Sequence, residues 1–179
     1  PPFSSDSTEE FKIKNVRKMV QASLLASLTA VCAWISIPLP PMAFTLQTFA
    51  VLLTLGILGG KWGTVSILIY LLLGAAGLPV FSGFQTGAAA LPGPTGGFLW
   101  GFLLAGLVYR LLERLGKPIA MIAAQLTVYL CGSLWFCFYA GDAGFITGLM
   151  ICVVPYLIPD GIKLVLALTL SERIGKRLS

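Results

Sequence analysis

The sequence predicts an all-α integral membrane protein of six transmembrane helices with both termini in the cytoplasm. Three observations predict it: an excess of apolar residues, their division into six runs, and the placement of cations between the runs. Of the 179 residues, 57% are hydrophobic and 11% charged, more apolar material than a water-soluble domain of this length can hide. A bilayer core takes roughly 20 apolar residues per helix, so the chain has room for about six crossings in one domain. No second, soluble domain fits.

Residues 1–15 read as a polar tail and 16–179 as a single membrane domain. The first dozen residues are rich in Ser and Glu and show no hydrophobic period, the composition of a disordered segment. Lys12, Lys14, Arg17 and Lys18 before an apolar run imitate a signal peptide. The run is long, however, and no small-residue cleavage site follows it, so an uncleaved first helix is expected. Gly, Pro and charges then delimit runs at 16–35, 46–59, 63–78, 98–112, 119–139 and 146–170.

Eleven of the twelve cations punctuate these runs on one side. Lys12, Lys14, Arg17 and Lys18 precede the first run, and Lys61 separates the second from the third. Arg110, Arg114 and Lys117 separate the fourth from the fifth, and Arg173, Lys176 and Arg177 follow the sixth. The positive-inside rule makes that side the cytoplasm. The outer connections differ in kind: 36–45 and 79–97 are long, rich in Pro and Gly and almost without charge. Such segments can fold back over the outer end of the bundle as lids, or pack irregularly without a site.

Lys163 is the exception. It lies inside the last apolar run, three residues after Asp160, where a central charge costs on the order of 3 kcal/mol on insertion scales. Pro155, Pro159 and Gly161 predict that this run is kinked or split, with Pro159 near the first turn of the inner segment. Counted back from Arg173, the two charges fall in the outer half of the bilayer, and at i and i+3 they share a helix face. They are either a self-neutralising brace or a bipolar site. In the second case the Lys163 ammonium receives a ligand carboxylate and Asp160 accepts ligand N–H groups.

Other classes find less support. Cys32, Cys131, Cys137 and Cys152 lie in apolar runs without metal-type spacing, and the chain has no His, so no metal site is expected. An intramembrane enzyme needs a nucleophile with a base, or a metal set. The alternative of an autonomous secondary transporter or channel for a small carboxylate needs a polar pore, and few polar residues besides Asp160 and Lys163 are available to line one. No catalysis, no cofactor and no nucleic-acid partner are expected.

Residues 77–102 (GLPVFSGFQTGAAALPGPTGGFLWGF), the spacing of Ala22, Ala26 and Ala30, and PDGIK at 159–163 resemble the BioY family from Arg17 onward. These are the biotin-binding S components of energy-coupling factor (ECF) vitamin transporters. The resemblance implies an S-component fold in a cytoplasmic membrane and high-affinity capture of biotin from outside. It also implies partnership with a T component and two ATPase subunits. The chain itself has no G-x-x-x-x-G-K-[ST] sequence, so ATP-driven work belongs to another polypeptide.

With biotin as ligand, its carboxylate suits Lys163 and its ureido N–H groups suit Asp160. Thr45 and Gln47 offer further polar contacts or steady a helix end. Ser82 and Gln85 can complete ureido recognition, with Gly83 and Gly87 admitting close backbone approach, or they form a turn. In the GPTGG segment before the fourth run, Thr95 or a free N–H at Gly96 can meet an anion or carbonyl. Gln125 and Tyr129 lie one turn apart on the fifth run, Tyr129 combining an apolar wall with a hydroxyl. Ala22, Ala26 and Ala30 form a small-residue stripe that lets a helix approach closely in lipid. That helix is a neighbour in the same chain or, by the resemblance, the T component.

Overall fold

The computed structural model describes residues 5–38, 43–141 and 144–178. They form α1 (Ser5–Trp34), β1 (Ser36–Ile37), β2 (Phe44–Thr45), α2 (Gln47–Ala75), α3 (Gly87–Ala90), α4 (Gly96–Leu112), α5 (Lys117–Ala140), α6 (Phe145–Cys152) and α7 (Leu157–Leu178). Single 3₁₀ turns lie at Ser82–Phe84, Glu113–Leu115 and Val154–Tyr156. Among the described residues the regular structure is helical apart from one two-residue antiparallel ladder, Ser36 opposite Thr45 and Ile37 opposite Phe44.

Which residues face outward identifies the solvent. On α5 the large residues Ile119, Ile122, Leu126, Leu130 and Leu134 recur every three or four positions and are about half exposed, whereas Ala120, Ala124, Gln125, Gly132 and Ser133 are buried. Small and polar residues inside with branched aliphatics outside is the arrangement that lipid favours, because interhelical contact there rests on close packing.

The first helix follows the same logic, corrects one expectation and favours one of two alternatives left open by another. It begins at Ser5, so the segment read as a disordered tail is helical from that residue onward. Nothing between Ser5 and Trp34 is Gly or Pro, and Glu9 and Lys12 pair at 3.5 Å one turn apart. The alanine stripe is turned inward: Ala22 is 0%, Ala26 1% and Ala30 6% exposed. With no side chain beyond Cβ to intervene, the Ser66 hydroxyl of α2 donates to the Ala22 carbonyl at 2.7 Å. The stripe therefore packs against this chain's own α2, and the outward face of α1 consists of Val16, Met19, Val20 and Leu24.

As a straight helix α2 would measure about 43 Å, with Gln47 and Tyr70 roughly 34 Å apart. Instead the two side chains are hydrogen-bonded at 2.9 Å. The chain reverses at Gly59, whose φ of 74° and ψ of 174° are open essentially to glycine alone. A Cβ on Gly63 would stand 3.1 Å from the Leu55 Cα, so the arms 47–58 and 60–75 lie side by side. They correspond to the predicted runs 46–59 and 63–78. The reversal is held by Glu113, which accepts the Gly60 N–H at 2.7 Å.

Between α4 and α5 the close approach is made by glycines: Gly97 meets the Trp135 side chain, Gly132 meets the Phe98 ring, and Gly101 lies against the backbone of Val128. The predicted split of the last run falls at Val154–Tyr156, around Pro155, and Pro159 sits in the first turn of α7. Among the described residues, three stretches are by length and composition long and apolar enough to cross a membrane: Gln47–Ala75, Lys117–Ala140 and Ile146–Lys176. The first of these is the folded hairpin and the last is broken at Pro155, so each contains two helical pieces.

Candidate functional site

A cavity opens at the end of the bundle that carries β1 and β2. Both long connections contribute to its wall: Phe44 and Thr45 from the first, and Phe81, Ser82, Gln85 and Thr95 from the second. The helices add Gln47 and Thr48 from α2, Phe98 and Phe102 from α4, Val128 and Tyr129 from α5, and Asp160 and Lys163 from α7. Residues 39–42 of the first connection lie outside the described residues.

Its polar floor is built by α7. Asp160 lies in the first turn, where the helix N-terminus favours an anion. One turn on, Lys163 Nζ reaches back to Asp160 Oδ1 at 2.8 Å. Both residues are 6% exposed. The other carboxylate oxygen, Oδ2, accepts from the Tyr129 hydroxyl at 2.7 Å and, at a longer 3.4 Å, from Gln125 Nε2. The remaining donors of Lys163 go to the Thr45 carbonyl at 2.6 Å and Thr48 Oγ1 at 3.2 Å. Phe44 lays its ring over the ammonium, 3.9 Å from Nζ to the centroid, and lies nearly parallel to the Tyr156 ring at 6.4 Å. The lysine thus fastens the first connection to α7 while staying paired.

The second connection is held from outside the cavity. Trp34 at the end of α1 donates to the Pro79 carbonyl at 2.8 Å and stacks on Phe84 at 5.2 Å. Among the described residues Phe84 is the non-glycine residue with positive φ, 59°, directly after Gly83 at 66°. A bulky residue there is strained; Phe84 is exposed against Trp34, while Ser82 and Gln85 face the cavity. Further along, Trp135 Nε1 donates to the Gly93 carbonyl at 2.9 Å and pins the GPTGG segment.

Eight of the residues expected at a site converge on this cavity: Thr45, Gln47, Ser82, Gln85, Thr95, Tyr129, Asp160 and Lys163. Gly83 and Gly96 do not line it. The former is an exposed left-handed turn residue, and a Cβ on the latter would run into the Leu91 carbonyl, so its role is close packing ahead of α4. The sequence reading missed the aromatic wall of Phe44, Phe81, Phe98, Phe102 and Tyr156, and also Thr48 and Cys152. In an apolar chain a phenylalanine gives no signal of which side it faces. Thr48, directly after Gln47, could have been found as the next polar position of the same helical turn.

The site accordingly offers a buried cation and anion side by side, aromatic walls, and an entrance where Ser82 and Thr95 are half-buried and Gln85 is exposed. It suits a small molecule with a polar head, an apolar body and a second polar end.

Comparison with known proteins adds to this geometry. The sequence model described as the BioY family matches residues 6–179. The biotin transporter BioY of Thermotoga maritima is 40% identical over 166 residues, spanning 90% of this chain and 97% of the relative. The probable biotin transporter BioY of Pyrococcus horikoshii is 39% identical over 153 residues, spanning 85% and 92%. A crystal structure at 2.1 Å, described as that of the S-component for biotin from an ECF-type ABC transporter, superposes with a TM-score of 0.83. It is 25% identical, over 91% of this chain and 93% of that one.

Proposed function

Because the chain belongs to the BioY family, we propose that it is the biotin-binding subunit of an ECF-type transporter. It captures biotin in the cavity above α7 and hands it to a T component driven by two ATPase subunits, with no bond of the ligand made or broken. Its two arms of α2, α1, α4, α5 and the α6–α7 pair make six crossings of a cytoplasmic membrane, both termini inside. Supporting this orientation, Gly60 next to Lys61 bonds Glu113, and Gly175 lies 3.9 Å from Lys117 Nζ on the measure of an added Cβ, which brings three cation-bearing segments to one end. In whole cells an impermeant thiol reagent is expected to label Ser82→Cys and spare Lys61→Cys; the reverse pattern would invert the orientation.

The observation that carries the reading is the buried Asp160–Lys163 pair at the head of an aromatic cavity. It also supports a different orientation of biotin. The sequence reading divides the two charges between the two ends of the ligand, but a 2.8 Å contact cannot span a molecule whose ends are separated by a bicycle and an aliphatic chain. A cyclic urea presents a carbonyl and N–H groups side by side, which complements an ammonium adjacent to a carboxylate. The carbonyl takes the Lys163 proton now held by Thr48, the longest of its three bonds. The bicycle lies among Phe44, Phe81, Phe98 and Phe102. The carboxylate points toward Ser82, Gln85 and Thr95, where partial exposure keeps a charge hydrated and its desolvation cost small.

Calorimetric titration of wild-type protein and Lys163→Ala with biotin and biotin methyl ester tests this. Lys163→Ala is expected to weaken both ligands about 100-fold, the scale of a hydrogen bond to a charged group lost from a buried site, and to leave the acid-to-ester ratio as in wild type. If the ratio collapses to one in the mutant, Lys163 receives the carboxylate. If wild type fails to bind biotin, the proposed ligand is wrong.

A further inference from the structure

Counting hydrogen-bond capacity around Asp160 leaves the proposed ligand one acceptor short. An ionised carboxylate offers about four lone-pair sites, and Lys163, Tyr129 and Gln125 occupy three of those on Asp160. One site remains, whereas a cyclic urea has two N–H groups. On the reading that biotin is the ligand, we propose that Gln47 supplies the second acceptor and that Tyr70, a residue outside the cavity wall, is the positioning residue that turns the Gln47 amide oxygen toward the ligand.

A single proton fixes the amide's orientation. Tyr70 is 0% exposed, and its hydroxyl lies 3.1 Å from the Val80 carbonyl, which can only accept. The one hydroxyl proton is therefore given to Val80, and toward Gln47, 2.9 Å away, the phenol oxygen can only accept. Gln47 must present its NH₂ to Tyr70, and its oxygen then lies on the other branch of the amide. Gln47 lines the cavity. Among the described residues, the buried side-chain oxygens sealed from any partner belong to Thr54 and Ser133, so the Gln47 oxygen keeps an opening.

The surroundings make this orientation rigid. Phe81 packs edge-on against the Tyr70 ring at 5.3 Å and 85°, and the Gln47 backbone N–H donates to Thr45 Oγ1 at 3.2 Å. An amide has nearly the same shape in its two flipped states, so packing alone does not choose between them; the Val80–Tyr70–Gln47 relay does. The wrong flip would set an NH₂ against a ligand N–H, donor against donor.

Two cyclic carbamate analogues of biotin, each with one ureido N–H replaced by a ring oxygen, separate the acceptors. The test titrates biotin and both carbamates into wild type, Tyr70→Phe and Gln47→Leu. Wild type is expected to bind each carbamate about tenfold more weakly than biotin or worse, the scale of one lost hydrogen bond with an unpaired acceptor. In Tyr70→Phe the penalty for one carbamate should vanish, because the released amide flips and donates to the ring oxygen. The penalty for the other, which faces Asp160, should stay. Gln47→Leu should show the same one-sided loss.

If Tyr70 only packs, all three ligands weaken in the same ratio in Tyr70→Phe, and the inference falls. Should Tyr70→Phe not fold, Gln47→Leu decides: unchanged penalties for both carbamates overturn the inference. Wild-type protein that does not bind biotin at all would instead remove the reading on which it rests.

Discussion

Where Lys61, Arg110, Arg114 and Lys117 gather, the connections are a few residues long, and one carboxylate, Glu113, closes the α2 reversal. At the opposite end residues 43–45 and the connection 79–95 flank a buried ion pair and an aromatic wall, and that connection carries a strained Phe84. Both ends contain a glycine with an unusual backbone and a charged side chain close to main-chain groups. They differ in what the charges meet. Glu113 serves a turn, and its interaction can be exchanged for water. Asp160 and Lys163 are buried in the interior, where an ion pair gives little or no net stability over an apolar replacement. An intramembrane charge kept at that cost points to a ligand, and no such argument applies at the cationic end.

Mutations should separate the two ends by what they disturb. The largest effect is expected from Asp160→Ala, which strands a buried ammonium: removing one partner of a buried pair costs about 3–5 kcal/mol. The apparent melting temperature in detergent should fall sharply, and biotin binding should be lost with it. A mutant that keeps wild-type melting would show that the pair is hydrated, and the contrast between the ends would disappear. Gly59→Ala should cost less, about 1–3 kcal/mol for a side chain forced into a glycine-only conformation. Its melting temperature should drop while the biotin affinity of the folded fraction stays that of wild type. Reduced affinity in that fraction would mean that the two ends are coupled through the α2 arms.

The bundle was legible wherever charge or proline marked it. The cations located the ends, Lys61 separated the arms of α2, and Pro155 located the break before α7. The i, i+3 spacing of Asp160 and Lys163 correctly placed them on one face, but spacing cannot say that they touch. That contact depends on Lys163 bending back, and it changes which part of a ligand the pair can read. The alanine stripe predicted close approach without naming the helix that approaches, and it proved to be α2 through Ser66. Tyr70 left no trace in the sequence. It sits in an apolar arm, and its role appears only when the α2 reversal brings it to Gln47 and the following connection brings Val80 to its hydroxyl.

The bonds from Lys163 to Thr45 and Thr48 join positions 118 and 115 residues apart. During synthesis the 43–48 segment emerges early and waits for nearly the whole remaining chain before its counterpart exists. Contacts of such separation form late, because a long loop must be closed before they give any return. A chain arrested before α7 would hold the aromatic wall and the Gln47 amide but no charge to fasten them. On the proposed reading, biotin bound at this junction would stabilise the finished molecule, by an amount that rises with the logarithm of its concentration over the dissociation constant. On that reading the vitamin would also favour folding, drawing the protein toward the state in which its last helix is in place.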